Sequence, residues 1–435
     1  GSTVVEIIRS VWLTRSQKKK HLPLLTDFPV LRPQNTKVIN LDVGALAPRL
    51  GYVSDILHSW NRDVEKWAPT SSPIWIAASG RDDVASATIK KGSWNTVWRG
   101  AEKLRERIAD LLNVYPDDII FVTSTTRAID VALECSQPAL VITTDQEHDS
   151  EYRLLDLMSH KYGTRVVKIP VIGNVSREGW EADFVERVVN ASTGNKETVL
   201  LLSHVCFANG WVLPVQDICT RLSKLNPRVP VIVDGAHAIG QLEVSLAGFP
   251  FRFYAFSGHK WLFGPPSLGI LVLSQEIRLN NDQLHKRLLL EVYEALAVRQ
   301  GPLDERTSTI SLDPLAGLAA SIAGIAEPGF PEVWRNLKDL NHTIAHYLVN
   351  ECEHAEKLPS LGPKVSDGIL NVQRKGTRFS LHELRDARER LEREHFVVTK
   401  VVSDPLSLRL CIPFYLRFDE VQTAIRAVDR VFSKI

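Results

Sequence analysis

Five short stretches of this 435-residue sequence carry side chains of complementary chemical types. Val233-Asp234-Gly235-Ala236-His237 sets an acid directly behind an apolar run, with a histidine three positions on. Ser257-Gly258-His259-Lys260-Trp261 sets a lysine between a histidine and a tryptophan. Thr123-Ser124-Thr125-Thr126 and Glu147-His148-Asp149 each follow a further apolar run, and Leu408-Arg409-Leu410 precedes the last amphipathic stretch. Each stretch also has an ordinary reading. An aspartate or a Ser/Thr run behind a strand often caps a helix. A loop lysine is usually solvated and most arginines lie at the surface. A single histidine is more often structural than catalytic.

Together the first four describe one chemistry. A lysine flanked by bulky residues is open to desolvation, which favours the neutral amine that forms a Schiff base. An aspartate beside a pyridine nitrogen keeps it protonated and makes the ring an electron sink. Backbone N–H groups and hydroxyls at a helix start hold a phosphate dianion. A histidine behind a strand can stack on a flat aromatic ring. These are the requirements of pyridoxal 5′-phosphate (PLP).

The elements that must position these groups follow from the apolar pattern. Ile119–Val122, Leu140–Ile142, Val199–Leu202 and Val231–Val233 are continuous apolar runs, as expected of strands covered on both faces. They alternate with helical stretches from about Asp118 to Ser274, which predicts a mostly parallel α/β sheet. Ligands in such sheets bind beyond the carboxyl ends of the strands, where the polar residues fall. A helix is expected from Trp98 to Leu112, with Ala101, Leu104, Ile108 and Leu111 on one face. The stretch through Pro73 reads as irregular because prolines interrupt it. From about Gly329 the pattern predicts an α+β unit: helices over Trp334–Cys352 and Phe379–Arg393, a strand at Leu408–Leu410, and a final helix from Asp419. The expected division is a large PLP-binding domain over residues 60–325 and a small one from residues 1–59 plus 326–435.

With these motifs in place, the chain resembles the class V aminotransferases of PLP fold type I. That family includes cysteine desulfurases, isopenicillin-N-epimerase-like proteins and ergothioneine-pathway C–S lyases. The resemblance runs from about Leu41 to the C-terminus and is sharpest in VDGAH (Val233–His237) and SGHKWLFGP (Ser257–Pro265), about two dozen residues apart. It implies Lys260 as the Schiff-base lysine, Asp234 as partner of the pyridine nitrogen, and His148 stacked on the ring. It also implies His237 near the phenolic oxygen, and a phosphate cup of Thr125, Thr126, Ser257 and His259. Arg409 falls where the family binds the substrate α-carboxylate, a task that suits a bidentate guanidinium. A C2 homodimer is implied too, because the family's partner-subunit phosphate motif is approximated by Thr307-Ser308-Thr309.

Departures from the family narrow the reaction. Ser124 stands where the cup usually has Gly or Asn, Arg127 replaces a frequent Glu, and Phe207 replaces an Asn that bonds the phenolic oxygen. Phe396–Pro405, where desulfurases hold a mobile nucleophilic cysteine, contains none. Cys411 aligns with strand rather than loop and reads as packing. The resemblance implies an enzyme acting on an L-amino acid through an external aldimine and quinonoid in specialised metabolism. A lyase-type reaction (C–S or β-elimination, decarboxylation or epimerisation) is preferred, with an aminotransferase as the alternative. A non-catalytic PLP-fold binding module is the reading from another class, which bound PLP without turnover would favour. No GxGxxG follows a strand, which sets aside a dinucleotide-binding fold.

Composition sets outer limits. Hydrophobic residues at 44% and charged residues at 24% suit a soluble globular chain. A formal charge of +1 supplies no field toward nucleic acid or anionic membrane, and Lys18-Lys19-Lys20 reads as solvated surface. The five cysteines have neither metal-ligand spacing nor a disulfide pattern, pointing to reduced thiols in the cytoplasm and no metal. Gly1-Ser2 reads as a tag-cleavage remnant.

Overall fold

A computed structural model describes residues 37–67, 94–171, 179–195, 197–280, 312–326, 329–359 and 364–435. Lys18–Lys20 and Thr307-Ser308-Thr309 lie outside them. The chain enters with β1 (Ile39–Asn40) and α1 (Gly51–Trp67), followed by α2 (Trp94–Leu112). α1 corrects the expectation of an irregular N-terminal stretch. Pro48 and Pro69 bracket the helix rather than interrupt it, and Val53, Ile56 and Leu57 bury one face at helical spacing. α2 begins four residues earlier than its periodicity predicts.

The βα alternation then appears as expected: β2 (Ile119–Val122), α3 (Thr125–Ser136), β3 (Leu140–Thr144), α4 (Asp149–Tyr162), β4 (Arg165–Ile169), α5 (Trp180–Ser192), β5 (Thr198–Ser203), α6 (Val215–Leu225), β6 (Val231–Asp234), β7 (Phe253–Ser257) and β8 (Gly269–Leu273). α7 (Gln275–Asn280) and α8 (Leu312–Ala326) follow, α8 packing against α1 and α2. The seven strands order as β2-β8-β7-β6-β5-β3-β4. The β4-β3-β5-β6-β7 run is parallel, and β8 is inserted antiparallel between β7 and β2. Every residue of β2, β3, β5, β6, β7 and β8 is buried, which is why these strands read as unbroken apolar runs. With β8 reversed, the carboxyl ends of β2, β3, β5, β6 and β7 share one edge with the start of β8.

The remaining elements are α9 (Phe330–Asn350), β9 (Ala355–Lys357), β10 (Ile369–Arg374), α10 (Leu381–His395), β11 (Val397–Val398), β12 (Lys400–Ser403), β13 (Leu406–Cys411) and α11 (Phe418–Phe432). Four strands form an antiparallel sheet ordered β12-β13-β10-β9. β1 pairs in parallel with β11, and Asp42 bridges to Cys411. Residues from both ends of the described chain are thereby joined beside the large sheet. The segment Phe396–Pro405 is mostly paired strand here.

Candidate active site

The carboxyl edge of the seven-stranded sheet gathers the candidate residues. Asp234 ends β6, buried, and its Oδ1 accepts a hydrogen bond from the Ala236 N–H at 2.8 Å. Burial pushes its carboxyl up, while the Lys260 charge and the Ala236 N–H pull it back. The turn that follows is tight because Gly235 lies against the Tyr254 ring. A Cβ there would come within 2.1 Å of it.

His237, three residues beyond Asp234, faces the lysine: Nε2 lies 3.3 Å from Lys260 Nζ. The Trp261 indole donates to His237 Nδ1 at 3.4 Å, which leaves the imidazole proton on Nε2, directed at the amine. Burial holds His237 well below the ordinary histidine value, and the Lys260 charge adds to this. Burial also lowers the Lys260 amine, with Asp234 opposing. A neutral amine accepting from a neutral imidazole satisfies both groups.

His148 caps α4. Its Nδ1 accepts from the Ser150 N–H at 3.2 Å, and burial, with the Lys260 charge second, drops its pKa to about 4. Its ring meets Phe207 edge-on at 4.8 Å. At the position where relatives place an Asn, Phe207 therefore contributes a wall rather than a polar contact. Asn209 does not replace it, because its amide donates to Gln146 at 2.7 Å and its Oδ1 accepts from Trp211 N–H at 3.0 Å.

Gly269 lies between the two segments that carry the four expected cup residues. This glycine pairs with Val122 of β2 on one side and Ser257 of β7 on the other. A Cβ there would come within 2.3 Å of the Ser124 carbonyl carbon, so only glycine lets the start of α3 close in. Ser124 caps α3 by accepting from the Arg127 N–H at 3.1 Å. Thr125 and Thr126 form the first turn. Thr125 Oγ1, Ser257 Oγ and His259 Nδ1 are all buried and without a hydrogen-bond partner. His259 is neutral at pH 7, its pKa lowered by burial to about 4.

Arg409, on β13, is 1% exposed. Its Nη1 donates to the Phe207 carbonyl and its Nη2 to Asp42 Oδ1, both at 2.7 Å, leaving Nε without a partner. The guanidinium expected for a substrate carboxylate thus already holds a carboxylate of the chain itself.

Four groups near the site escaped the sequence reading. Asp42 lies in the stretch read as irregular. Glu147, although noticed beside His148, is a buried acid in its own right: it accepts from Ser203 Oγ at 2.6 Å and from Thr144 Oγ1, and burial raises it to about 7. Glu151, in the first turn of α4, is buried with Oε2 making no hydrogen bond, and burial together with Asp234 and Glu147 pushes its carboxyl well up. Lys400 of β12 lies directly across the ladder from Arg409. Glu147 precedes the His148 cap and Glu151 follows it inside α4, so no helical periodicity links the two. A separate cleft, lined by Cys135, Cys219, Arg228 and Arg252 among others, lies at the opposite ends of the strands and contains none of these groups. Among the described residues, no cluster of His, Cys, Asp or Glu could hold a metal, and no helix is long and apolar enough to cross a membrane.

A mostly parallel sheet with a desolvated lysine, a buried acid and three buried polar atoms without hydrogen bonds near one edge is the arrangement of an α/β enzyme. Residues 90–378 match the family model described as aminotransferase class-V, and the chain belongs to that family, whose cofactor is PLP. It is 30% identical over 181 residues to an isopenicillin N epimerase of Amycolatopsis lactamdurans, covering 40% of this chain and 43% of that protein. It is 27% identical over 304 residues to a probable cysteine desulfurase of Methanothermobacter thermautotrophicus, covering 67% and 73%. The matches to the two isopenicillin N epimerases thus span little more than two fifths of their length. Among solved structures, a C-DES variant with glycine covalently linked to its PLP cofactor superposes with a TM-score of 0.71 at 18% identity, covering 94% of this chain and all of that one. A cysteine desulfurase of Escherichia coli gives 0.69 at 18%, covering 95% and 100%. The fold is PLP fold type I.

The residues present fit the cofactor. Three buried polar atoms without hydrogen bonds, one at the start of α3 and two at and just after the end of β7, could serve as donors for a phosphate. Asp234, Lys260, His237 and His148 supply the remaining complements at the same edge.

Proposed function

We propose that this chain binds PLP at Lys260 and acts on an L-amino acid by a lyase-type reaction. The observation that carries the reading is the set of unpartnered atoms Thr125 Oγ1, Ser257 Oγ and His259 Nδ1, beside a lysine whose pKa is lowered by burial. Leaving such groups unsatisfied costs about 1–3 kcal/mol each, so their retention points to a ligand. When bound, PLP supplies an electron sink for the bonds at the substrate Cα.

The chain's own residues do the rest. Thr125, Thr126, Ser257 and His259 hold the phosphate together with the N–H groups opening α3. Asp234 keeps a proton on the ring nitrogen, and His148 covers one face. His237 Nε2–H orients the Lys260 lone pair, and Lys260 Nζ accepts and returns the Cα proton. Arg409 is the candidate for the α-carboxylate, in competition with Asp42.

The thiols favour a reaction that needs no persulfide. Cys206 and Cys411 are buried near the site, and burial raises both, so neither is a thiolate at neutral pH. We read residues 60–325 as the cofactor domain and 1–59 plus 326–435 as the small one. A cytoplasmic C2 homodimer completes the reading, to be checked by light scattering.

The test is holoenzyme turnover on an amino-acid panel without a keto acid. A lyase sustains turnover. An aminotransferase stops after one cycle with pyridoxamine phosphate on the enzyme, and a keto acid restores it. Bound PLP with no turnover of any amino acid would leave only a binding role.

A further inference from the structure

On the face of the small sheet that meets the site, two cations stand side by side. Lys400 of β12 and Arg409 of β13 are directly paired across an antiparallel ladder, so their side chains project from the same face. Like charges in that position destabilise a sheet. One charge is balanced, because Arg409 is tied to Asp42 and to the Phe207 carbonyl. The other is not: Lys400 is half-buried and makes no ion pair or hydrogen bond with the described residues.

The position of that charge follows from contacts. The Phe207 carbonyl that Arg409 holds belongs to the residue whose ring edges against His148 at 4.8 Å. The Lys400 charge is near enough to contribute to the lowered pKa values of both His148 and His237. Lys400 also lies within Phe396–Pro405, which is here mostly paired strand. A strand presents its side chain at a fixed height over the site.

Resting on the amino-acid reading above, we propose that Lys400 selects the substrate by its side chain: this chain takes an L-amino acid with a second anionic group, a carboxylate or a sulfur oxyacid. Arg409 is the candidate for the α-carboxylate, whereas Lys400, on the same face of the ladder, has no ion-pair partner among the described residues. A neutral side chain leaves Lys400 without a counter-charge, whereas an acidic one supplies it. Lysine suits a side chain of variable end group, since its ammonium is a point charge without the fixed fork of arginine.

The test is calorimetric and absorbance titration of the holoenzyme with L-aspartate, L-glutamate and L-cysteate against L-asparagine, L-glutamine and L-serine. The acids should bind more tightly than their neutral counterparts by about tenfold or more. Lys400→Gln should remove that preference, the acids falling to the affinity of their neutral counterparts. Lys400→Glu should reject the acids and favour L-ornithine. Equal binding of acids and neutral counterparts in the unaltered enzyme overturns the assignment. So does equal weakening of both groups in Lys400→Gln, which would place the α-carboxylate on Lys400. If no amino acid releases heat or shifts the cofactor band, the amino-acid reading itself fails, and the Lys400 assignment with it.

Discussion

The proposed phosphate cup and the arginine corner lie near the same edge of the large sheet but are finished to different degrees. In the cup, Thr125, Ser257 and His259 each keep a buried polar atom without a partner. In the corner, two guanidinium nitrogens of Arg409 already bond, one of them to a charged carboxylate. The difference separates two kinds of binding. A group that enters the cup satisfies donors that nothing else reaches, so it gains the desolvation cost already sunk in the fold. A group that enters the corner must compete with Asp42, so it binds reversibly and only if its geometry is better. That is the division expected between a resident cofactor and a passing substrate.

The largest effect that would break the comparison concerns Lys260, which serves both sides. Lys260→Ala should lower turnover by about three orders of magnitude or more, as expected when a single group acts as both nucleophile and base. Borohydride should no longer fix PLP to the protein. Retained turnover would remove the centre of the site.

Arg409→Ala comes next. It should weaken amino-acid binding by about 2–5 kcal/mol, because the α-carboxylate is left without its guanidinium partner. PLP content should be unchanged, since the corner does not hold the phosphate. Unaltered KM and kcat would move the carboxylate site elsewhere. Asp42→Asn sharpens the same point. Asparagine still accepts from Nη2 but carries no charge, so substrate binding should tighten by about tenfold, close to the low end measured for close charge pairs.

For the cup, Thr125→Val and Ser257→Ala should each raise the dissociation constant of PLP by about tenfold, the worth of one hydrogen bond to a charged group. Amino-acid affinity of the fully loaded enzyme should hardly change. A change confined to the substrate would reverse the assignment of the two regions.

The smallest effect is a pH dependence. Burial raises Glu147 from an ordinary 4.5 to about 7. The folded chain therefore binds this proton more tightly than the unfolded chain, and the stability gained from it is lost as pH rises from about 4.5 through 7. Glu147→Gln cannot ionise, so its stability relative to wild type should rise across that window, by about 3 kcal/mol at most, and its Tm with it. The lowered pKa values of His148, His204 and His259, near 4, act in the opposite sense below 6.5 and cancel in this difference. A difference in Tm that does not vary with pH would mean that Glu147 keeps its ordinary acidity.

The legible parts of the molecule were those where local sequence and environment agree. β5 and β6 are buried on both faces, so each is an unbroken apolar run, and the polar residue that ends it is conspicuous. Asp234 and Lys260 could be found that way. β4 was not, because it lies at the sheet edge and its residues Arg165 and Lys168 face solvent. α1 was hidden because proline marks a helix boundary as often as it breaks a helix. Asp42 and Lys400 were invisible for a different reason: each matters only through a partner or neighbour supplied by a remote segment. Nothing in the sequence near Asp42 announces a salt bridge to Arg409.

That salt bridge has a consequence for how the enzyme is made. Asp42 and Arg409 are 367 residues apart along the chain. During synthesis the ribosome releases Asp42 long before its partner exists, and β1 waits equally long for β11. Domains fold as units while the chain emerges, N-terminal parts first, so the large sheet and its phosphate cup can form early. The corner for the carboxylate cannot. Contacts this distant in sequence close late and slowly. A nascent chain would thus acquire the means to hold its cofactor before it can grip a substrate, and an enzyme truncated before Arg409 should still turn yellow while remaining silent.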